Sequence, residues 1–155
     1  MTRPRLPLLV IAVVAPAAIS VGSIVVALTA LPATEIAVHW GPDGTADGFA
    51  PAWTVVVGMA VLAVFGPLLC GIPLLALRAE GPSTAQKVLA VSALWLSAFM
   101  SGLGLWTILA QQDARSAPPE IWLGLLVAVG SGLAVAALGW WASPAIVAVP
   151  SAGIA

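Results

Sequence analysis

The chain has 155 residues, of which 61% are hydrophobic and only 7% are charged. A soluble domain usually carries about a quarter charged residues, so this composition argues against a soluble fold and is typical of a protein embedded in lipid. The formal net charge is −1 and no basic run occurs, which leaves nucleic-acid binding without support.

Four long apolar stretches follow one another along the chain, and none contains Asp, Glu, Lys, Arg or His. They cover residues 6–31, 54–77, 88–110 and 121–142 approximately. A helix rises about 1.5 Å per residue, so about 20 residues cross the roughly 30 Å hydrocarbon layer. Backbone groups in lipid must be satisfied internally. We therefore predict an all-α integral membrane protein, a bundle of four transmembrane helices that forms one membrane domain over residues 1–155.

The first stretch also begins like a secretory signal peptide, because two arginines precede an apolar run. The run is longer than the roughly 7–15 apolar residues of a signal peptide. Leucine also stands where a cleavage site needs a small residue, in Leu28-Thr29-Ala30 and Leu31-Pro32-Ala33. We therefore expect the first stretch to be retained as a helix.

The positive charges predict an orientation, since short cytoplasmic loops are enriched in Lys and Arg. Four of the five cations fall on one side of the predicted bundle: Arg3, Arg5, Arg78 and Lys87. That side should be cytoplasmic, with both termini and the link 78–87, while Arg115 lies in an outer link. The remaining segments are the outer loops 32–53 and 111–120 and a C-terminal tail, 143–155, that is too short and too broken by proline to span.

Two features inside the predicted helices bear on packing. Pro16 lacks a backbone N–H, so we expect a kink or a widened turn in the first helix. Small residues recur at four-residue spacing, at Ala98 and Gly102 and again at Ala128, Gly132 and Ala136. Such spacing lets membrane helices approach closely and also permits self-association into a homo-oligomer.

The polar chemistry is concentrated in the first outer loop, LPATEIAVHWGPDGTADGFAPAW, residues 31–53. It holds three of the six acids and the single histidine. Weak alternation over Ile36 to Trp40 predicts a short extended piece. Gly41-Pro42-Asp43-Gly44 predicts a tight turn, and Asp47-Gly48 predicts a second one. Together these signals favour a small folded lobe that covers the helix ends.

His39, Asp43 and Asp47 stand at intervals of four residues in this loop. Imidazole and carboxylate groups are ligands for zinc or manganese, but that spacing gathers them only on a helix, and the intervening glycines and proline argue against one. Two interpretations stay open for these residues: hydrogen bonding within their own turns, and a surface that binds a ligand or partner. We expect no metal and no cofactor. No nucleophile or oxyanion-binding feature accompanies the two aspartates, so we expect no catalytic residue.

The loop resembles the signature of the SdpI-like bacterial membrane proteins, whose N-terminal module is a domain of unknown function. The matching positions are Leu31, Pro32, Ile36, Val38, His39, Gly44, Asp47 and Gly48. The resemblance covers the first helix, the loop and the start of the second helix. This chain departs from the family where many members place Asn soon after the histidine, and the second half of the longer members, with its Arg-Thr-Pro-Trp-type motif, is missing.

The resemblance implies a multi-pass protein of the bacterial cytoplasmic membrane. The named family member acts in immunity to a secreted peptide toxin and tethers a cytoplasmic repressor at the membrane. We therefore favour a non-enzymatic binding protein that acts in immunity or signalling. Its partners would be the lipid bilayer together with a secreted peptide or with a membrane or cytoplasmic protein.

Two other classes of function remain as alternatives. One is a structural accessory subunit of a membrane complex. The other is an oligomeric transporter or channel, which is disfavoured because ion-coupled transport normally needs ionisable residues at membrane depth and the predicted spans contain none.

Overall fold

The computed structural model describes residues 10–32, 35–76, 83–112 and 121–143. A π-helical turn, Val10–Val14, leads directly into helix α1, and a two-stranded antiparallel hairpin follows. The elements are α1 (Ala15–Thr29), β1 (Glu35–Trp40), β2 (Ala46–Pro51), α2 (Trp53–Ala76), α3 (Thr84–Leu109) and α4 (Ile121–Ala142). The protein is mostly helical. The short extended piece predicted over Ile36 to Trp40 is confirmed as part of β1, whereas the all-α prediction omits β2 and its pairing with β1.

Within the described part of the chain, three helical segments are long and apolar enough to cross a membrane. They are Val10–Thr29, Thr84–Leu109 and Ile121–Ala142. Within α2, the segment Trp53–Leu62 is also apolar. Tryptophans lie near the ends of these helices, at Trp53, Trp122, Trp140 and Trp141, where an indole ring favours the headgroup zone of a bilayer.

Helix α3 begins at Thr84, earlier than the apolar run that starts at residue 88. Its first turn is closed by a capping box, in which the Ser83 hydroxyl accepts a hydrogen bond from the Gln86 amide at 3.2 Å. The Gln86 side chain in turn accepts from the Ser83 N–H at 3.1 Å. Because the cap satisfies these backbone donors, the helix includes the polar residues Gln86 and Lys87. Lys87 therefore lies in a helix and not in the predicted link 78–87.

Pro16 has the widened turn that its missing N–H predicts. The five π-helical residues Val10–Val14 end just before it, and this looser winding replaces the α-helical bonding that proline interrupts. The Pro16 carbonyl oxygen accepts a hydrogen bond from the Ser97 hydroxyl of α3 at 2.8 Å. The Ser20 and Ser97 hydroxyls are also bonded to each other, at 2.9 Å. These polar contacts link α1 to α3 inside an otherwise apolar interface.

Helix α3 packs against α1, α2 and α4 and is the centre of the bundle. Its contact with α4 is close because both helices place small residues there. A Cβ atom added to Gly102 would lie 3.4 Å from the Ala128 Cα. One added to Gly132 would lie 3.0 Å from the Trp95 indole nitrogen. The packing role predicted for this small-residue spacing is confirmed at the α3–α4 interface.

The hairpin packs onto one end of the bundle through Ile36, which is only 2% exposed. Ile36 belongs to an apolar cluster that also contains Ala27 near the end of α1, Val56 near the start of α2 and Ile108 near the end of α3. The Ile36 side chain of β1 thus fills the space where these three helices meet. The hairpin is therefore attached to the helices through a shared hydrophobic core.

The opposite end of the bundle carries Lys87. Its ammonium group lies 4.2 Å from the centroid of the Trp140 ring, a cation–π contact that joins the start of α3 to the end of α4. The other cations used to predict orientation lie outside the described residues: Arg3, Arg5, Arg78 and Arg115. Most of the C-terminal tail also lies outside them.

Candidate functional site

The candidate site is the hairpin, and its reversal is the turn predicted at Gly41 to Gly44. The Gly44 N–H donates to the Gly41 carbonyl at 2.9 Å, and the Gly41 N–H donates to the Thr45 carbonyl at 2.8 Å. Gly44 has φ +82°, a left-handed conformation that a residue with a Cβ rarely adopts. The prediction of a tight turn here is therefore confirmed.

The prediction of a second turn at Asp47-Gly48 is wrong, because both residues lie in β2. The reversal is complete within the five residues 41–45, so the chain after Thr45 is already free to pair with β1. Gly48 lies opposite His39 in the ladder. A Cβ at Gly48 would be 2.8 Å from the His39 Cβ, so glycine is required here by the cross-strand neighbour and not by a turn.

The ladder is irregular around the histidine. Ala37 pairs with Phe49, His39 with Gly48 and Trp40 with Ala46, so the register shifts on each side of His39. Val38 on β1 and Asp47 on β2 are left as extra residues, which makes each a bulge. Bulges re-aim the neighbouring side chains. Here they bring the side chains of His39 and Asp47 together.

The His39 Nδ1 and Asp47 Oδ1 atoms lie 2.5 Å apart. Both side chains are largely exposed, at 72% and 52%. The contact leaves the other ring nitrogen of His39, Nε2, without a hydrogen bond among the described residues. Of the three site residues predicted from the sequence, the structure thus joins two into one exposed pair.

Asp43 has a different role from the other two. Its Oδ1 accepts hydrogen bonds from the Thr45 hydroxyl at 2.8 Å and from the Thr45 N–H at 3.1 Å. These two bonds, the hydroxyl's first, hold the pKa of the Asp43 carboxyl below its ordinary value, because they stabilise the charged form. The interpretation of Asp43 as a turn residue is confirmed.

The carboxylates of Asp43 and Asp47 nevertheless lie near one another. Oxygens of the two stand 2.9 Å and 3.5 Å from the position that a Gly41 Cβ would take, so both acids flank that glycine. Among the described residues, no group of three or more His, Cys, Asp or Glu side chains is placed to hold a metal ion. Asp43 and Asp47 make this part of the hairpin surface acidic.

Gln111, which was not among the residues predicted from the sequence, anchors the hairpin to α3. Gln111, just past the end of α3 and only 9% exposed, binds Ala37 twice. Its Oε1 accepts from the Ala37 N–H at 2.7 Å, and its Nε2 donates to the Ala37 carbonyl at 3.1 Å. The same Nε2 donates to the Thr107 carbonyl at 2.9 Å, which fixes the side chain to α3.

Aromatic rings complete the attachment of the hairpin to α3 and α4. The ring centroids of Trp40 and Trp106 lie 6.1 Å apart. Gly124 of α4 lets the Trp106 ring approach the backbone. Trp122 of α4 lies against the turn itself, since a Cβ at Gly44 would be 2.7 Å from its Nε1. The site is therefore packed against two helices, α3 and α4.

The family-motif residues have distinct structural positions. Leu31 is exposed and Pro32 is partly buried at the end of α1, and Ile36 lies in the core. Val38 is the exposed bulge residue of β1, and Gly44 and Gly48 occupy the two close approaches described above. Steric constraints within the hairpin thus explain the residue type at several of the motif positions.

Neither protein-family models nor curated proteins nor solved structures give a match to this chain. The chemistry of the hairpin must therefore be judged by its own groups. The one hydroxyl in the turn, that of Thr45, is bonded to Asp43. The His39–Asp47 pair accordingly has no neighbouring hydroxyl to activate among the described residues of the hairpin. What the pair offers is an exposed imidazole and carboxylate that can bind the polar groups of another molecule.

Proposed function

We propose that the protein spans the bacterial cytoplasmic membrane with four helices, with both termini inside and the hairpin outside. Three helices are long and apolar enough to cross, and α2 supports a fourth span because its 24 residues contain no Asp, Glu, Lys, Arg or His. Lys87 lies at the end of the bundle opposite the hairpin, as expected if that end faces the cytoplasm.

We further propose that the protein is a non-enzymatic binding protein and that its hairpin is the recognition surface. The observation that carries this proposal is the exposed His39–Asp47 pair on a hairpin that is bonded to and packed on the helices. Even a fully charged pair contributes little to stability when it is exposed, typically about 0–1 kcal/mol. The stability of the fold therefore does not explain the pair. A partner would meet a pair that is already positioned, because Gln111 and the Trp40–Trp106 contact hold the hairpin on the helices.

The resemblance to the SdpI-like proteins supports a more specific role within this class. Immunity to a secreted peptide, or signalling in response to one, would place the binding partner on the outer side of the membrane, where the proposed orientation puts the hairpin. A membrane or cytoplasmic protein would then receive the signal through the helices.

The test is a deletion strain challenged with the peptides that the organism itself secretes. Deletion is expected to raise sensitivity to one of them, and wild-type protein is expected to restore resistance. His39→Ala and Asp47→Ala should fail to restore it at equal membrane abundance. Leu138→Ala, a change on the exposed face of α4, is the matched control and should restore it fully.

Unchanged sensitivity of the deletion strain to every such peptide would contradict the immunity role. A stoichiometric partner that copurifies in mild detergent, with no effect of the two hairpin variants, would favour an accessory subunit instead. Ion flux in liposomes that is lost on changing Ser97 or Ser101 would favour a transporter or channel.

A further inference from the structure

We propose that the open edge of β2 binds an extended, positively charged segment of another polypeptide, which adds a third strand to the hairpin. This inference rests on the proposed binding role and specifies the mode of binding and the class of partner. It follows from the hydrogen-bonding directions of two residues that face each other in the ladder, Ala37 and Phe49.

The edge of β1 is already occupied. The N–H and the C=O of Ala37 are both bonded to the Gln111 side chain, so both point away from β2. In an antiparallel ladder, the two backbone groups of a residue point to the same side, and paired residues alternate between those that bond each other and those that do not. Ala37 and Phe49 therefore form a pair of the second kind, and the N–H and C=O of Phe49 point away from β1.

Pro51 supports this assignment independently. It lies two residues beyond Phe49 and pairs with Glu35, so its nitrogen has the same outward direction. Proline has no N–H and is tolerated in a strand where that group would face out of the sheet. The Pro51 carbonyl accepts a hydrogen bond from the Thr54 hydroxyl at 2.7 Å, so this end of the β2 edge already has its partner.

Phe49 is thus the open position of the β2 edge. Among the described residues, no side chain and no loop backbone bonds its N–H or its C=O. The residue is 54% exposed. Gln111 meets the hydrogen-bonding needs of Ala37 on one side of the hairpin, and a partner strand would meet those of Phe49 on the other. Strand addition to an exposed edge is an established mode of polypeptide recognition.

The charge around this edge selects the partner. Glu35, Asp43 and Asp47 are all exposed on the hairpin, and residues 31–53 contain no Lys or Arg. Proteins commonly protect an open edge with lysine, and this one has none. An extended segment that alternates basic with apolar residues would place its cations near the acids and its apolar side chains against the exposed Phe49 ring.

The experiment uses the full chain in lipid nanodiscs and a fluorescent peptide of about eight residues, a length typical of a strand, that alternates lysine with valine. Fluorescence anisotropy measures binding, with empty nanodiscs as the blank. The same peptide with every backbone amide N-methylated keeps its charge, but it has no N–H to donate, and its methyl groups crowd the edge that would face β2. Its affinity is expected to fall by about tenfold or more, because the hydrogen bond to the Phe49 carbonyl is lost and the methyl groups hinder close approach of the strand. A peptide that alternates glutamate with valine should not bind.

Two variants test the site on the protein. Phe49→Pro removes the outward N–H and should weaken binding of the lysine peptide as much as N-methylation does, while Phe49→Ala keeps the N–H and should weaken it less. The methylated peptide is tested on the wild-type protein, so the test still holds if Phe49→Pro does not fold.

Failure of the lysine peptide to bind, or equal binding of its N-methylated form, would overturn strand addition. Equal binding of the glutamate peptide would overturn the choice of a basic partner. If these results appeared while His39→Ala and Asp47→Ala still abolished resistance in cells, the inference would fail and the proposed function would stand. If strand addition held while the deletion strain showed no altered sensitivity, the edge would bind a segment unrelated to immunity.

Discussion

Gln111 and Ala37 are joined by two hydrogen bonds across 74 residues of sequence, with the amide of one side chain bonded to both backbone groups of the other residue. The contact replaces a neighbouring strand, because it satisfies one residue of the β1 edge as a third strand would. It also ties the hairpin to the end of α3, since Gln111 remains bonded to its own helix.

Replacing Gln111 with alanine is expected to loosen the hairpin without unfolding the helices. The change leaves the buried N–H and C=O of Ala37 without partners, and each unsatisfied buried group costs about 1–3 kcal/mol. Hydrogen exchange measured by mass spectrometry should show faster exchange over residues 35–51. Gln112→Ala is the control, because Gln112 is exposed and donates one bond, at 3.3 Å, to the Ala30 carbonyl. Equal protection in both variants would show that Gln111 does not hold the hairpin.

The helices and the first turn could be predicted from local sequence because their causes are local. Long apolar runs indicate helices in lipid, and a proline followed by a glycine at the right spacing indicates a tight turn. The early start of α3 also has a local cause, the capping box of Ser83 and Gln86. The apolar run starts only at residue 88, so hydrophobicity alone predicts a later start of the helix.

The second strand and its support could not be predicted in this way. The β2 sequence, ADGFAP, consists largely of residues that are depleted in strands, and it becomes a strand because β1 is beside it. The bulges that join His39 to Asp47 depend on the register of the two strands, and the role of Gln111 depends on a partner far away in sequence. Spacing along the chain therefore grouped His39, Asp43 and Asp47 equally, although only two of them are joined.

Gly44→Ala is expected to destabilise the turn for two reasons. The left-handed conformation costs a residue with a Cβ about 1–2 kcal/mol. The added methyl group would also lie 2.7 Å from the Trp122 Nε1 and would push that ring away. Thermal unfolding in detergent, followed by tryptophan fluorescence, should show a lower midpoint. In the control, Gly130→Ala, the methyl group meets nothing within 4 Å, so a comparable loss there would refute this account.

Gly48→Ala should separate His39 from Asp47 while leaving both residues in the chain. The new Cβ would be 2.8 Å from the His39 Cβ, and the cross-strand neighbour must shift. The ¹⁵N chemical shifts of the His39 ring are expected to move toward those of Asp47→Ala, which removes the partner directly. Gly58→Ala, in α2 with open space around it, should leave the spectrum of the ring unchanged. An unaltered His39 signal in Gly48→Ala would mean that the close approach does not position the imidazole.

The Asp43 carboxyl should titrate below a free aspartate, whose pKa is about 3.9, because Thr45 stabilises its charged form. Since the folded pKa is the lower one, the contribution of Asp43 to turn stability is present above the unfolded pKa and is lost as the pH falls through the folded pKa. Thr45→Val removes the hydroxyl but keeps the N–H, so it should raise the pKa part of the way toward the free value. Carbon-13 NMR of the Asp43 carboxyl measures this. A pKa that Thr45→Val leaves in place would contradict the hydroxyl's leading role.

Ser97→Ala tests the polar link between α1 and α3. Ser97 donates to the Pro16 carbonyl and is bonded to the Ser20 hydroxyl, so the change removes two interhelical bonds at once. Hydrogen bonds between membrane helices contribute about 0.6 kcal/mol on average, so the expected loss is about 1 kcal/mol. Unfolding by a denaturing detergent measures it. Ser131→Ala is the matched control, because the Ser131 hydroxyl bonds only the Ala128 carbonyl of its own helix. An equal loss in Ser131→Ala would show that the α1–α3 link is not what Ser97 contributes.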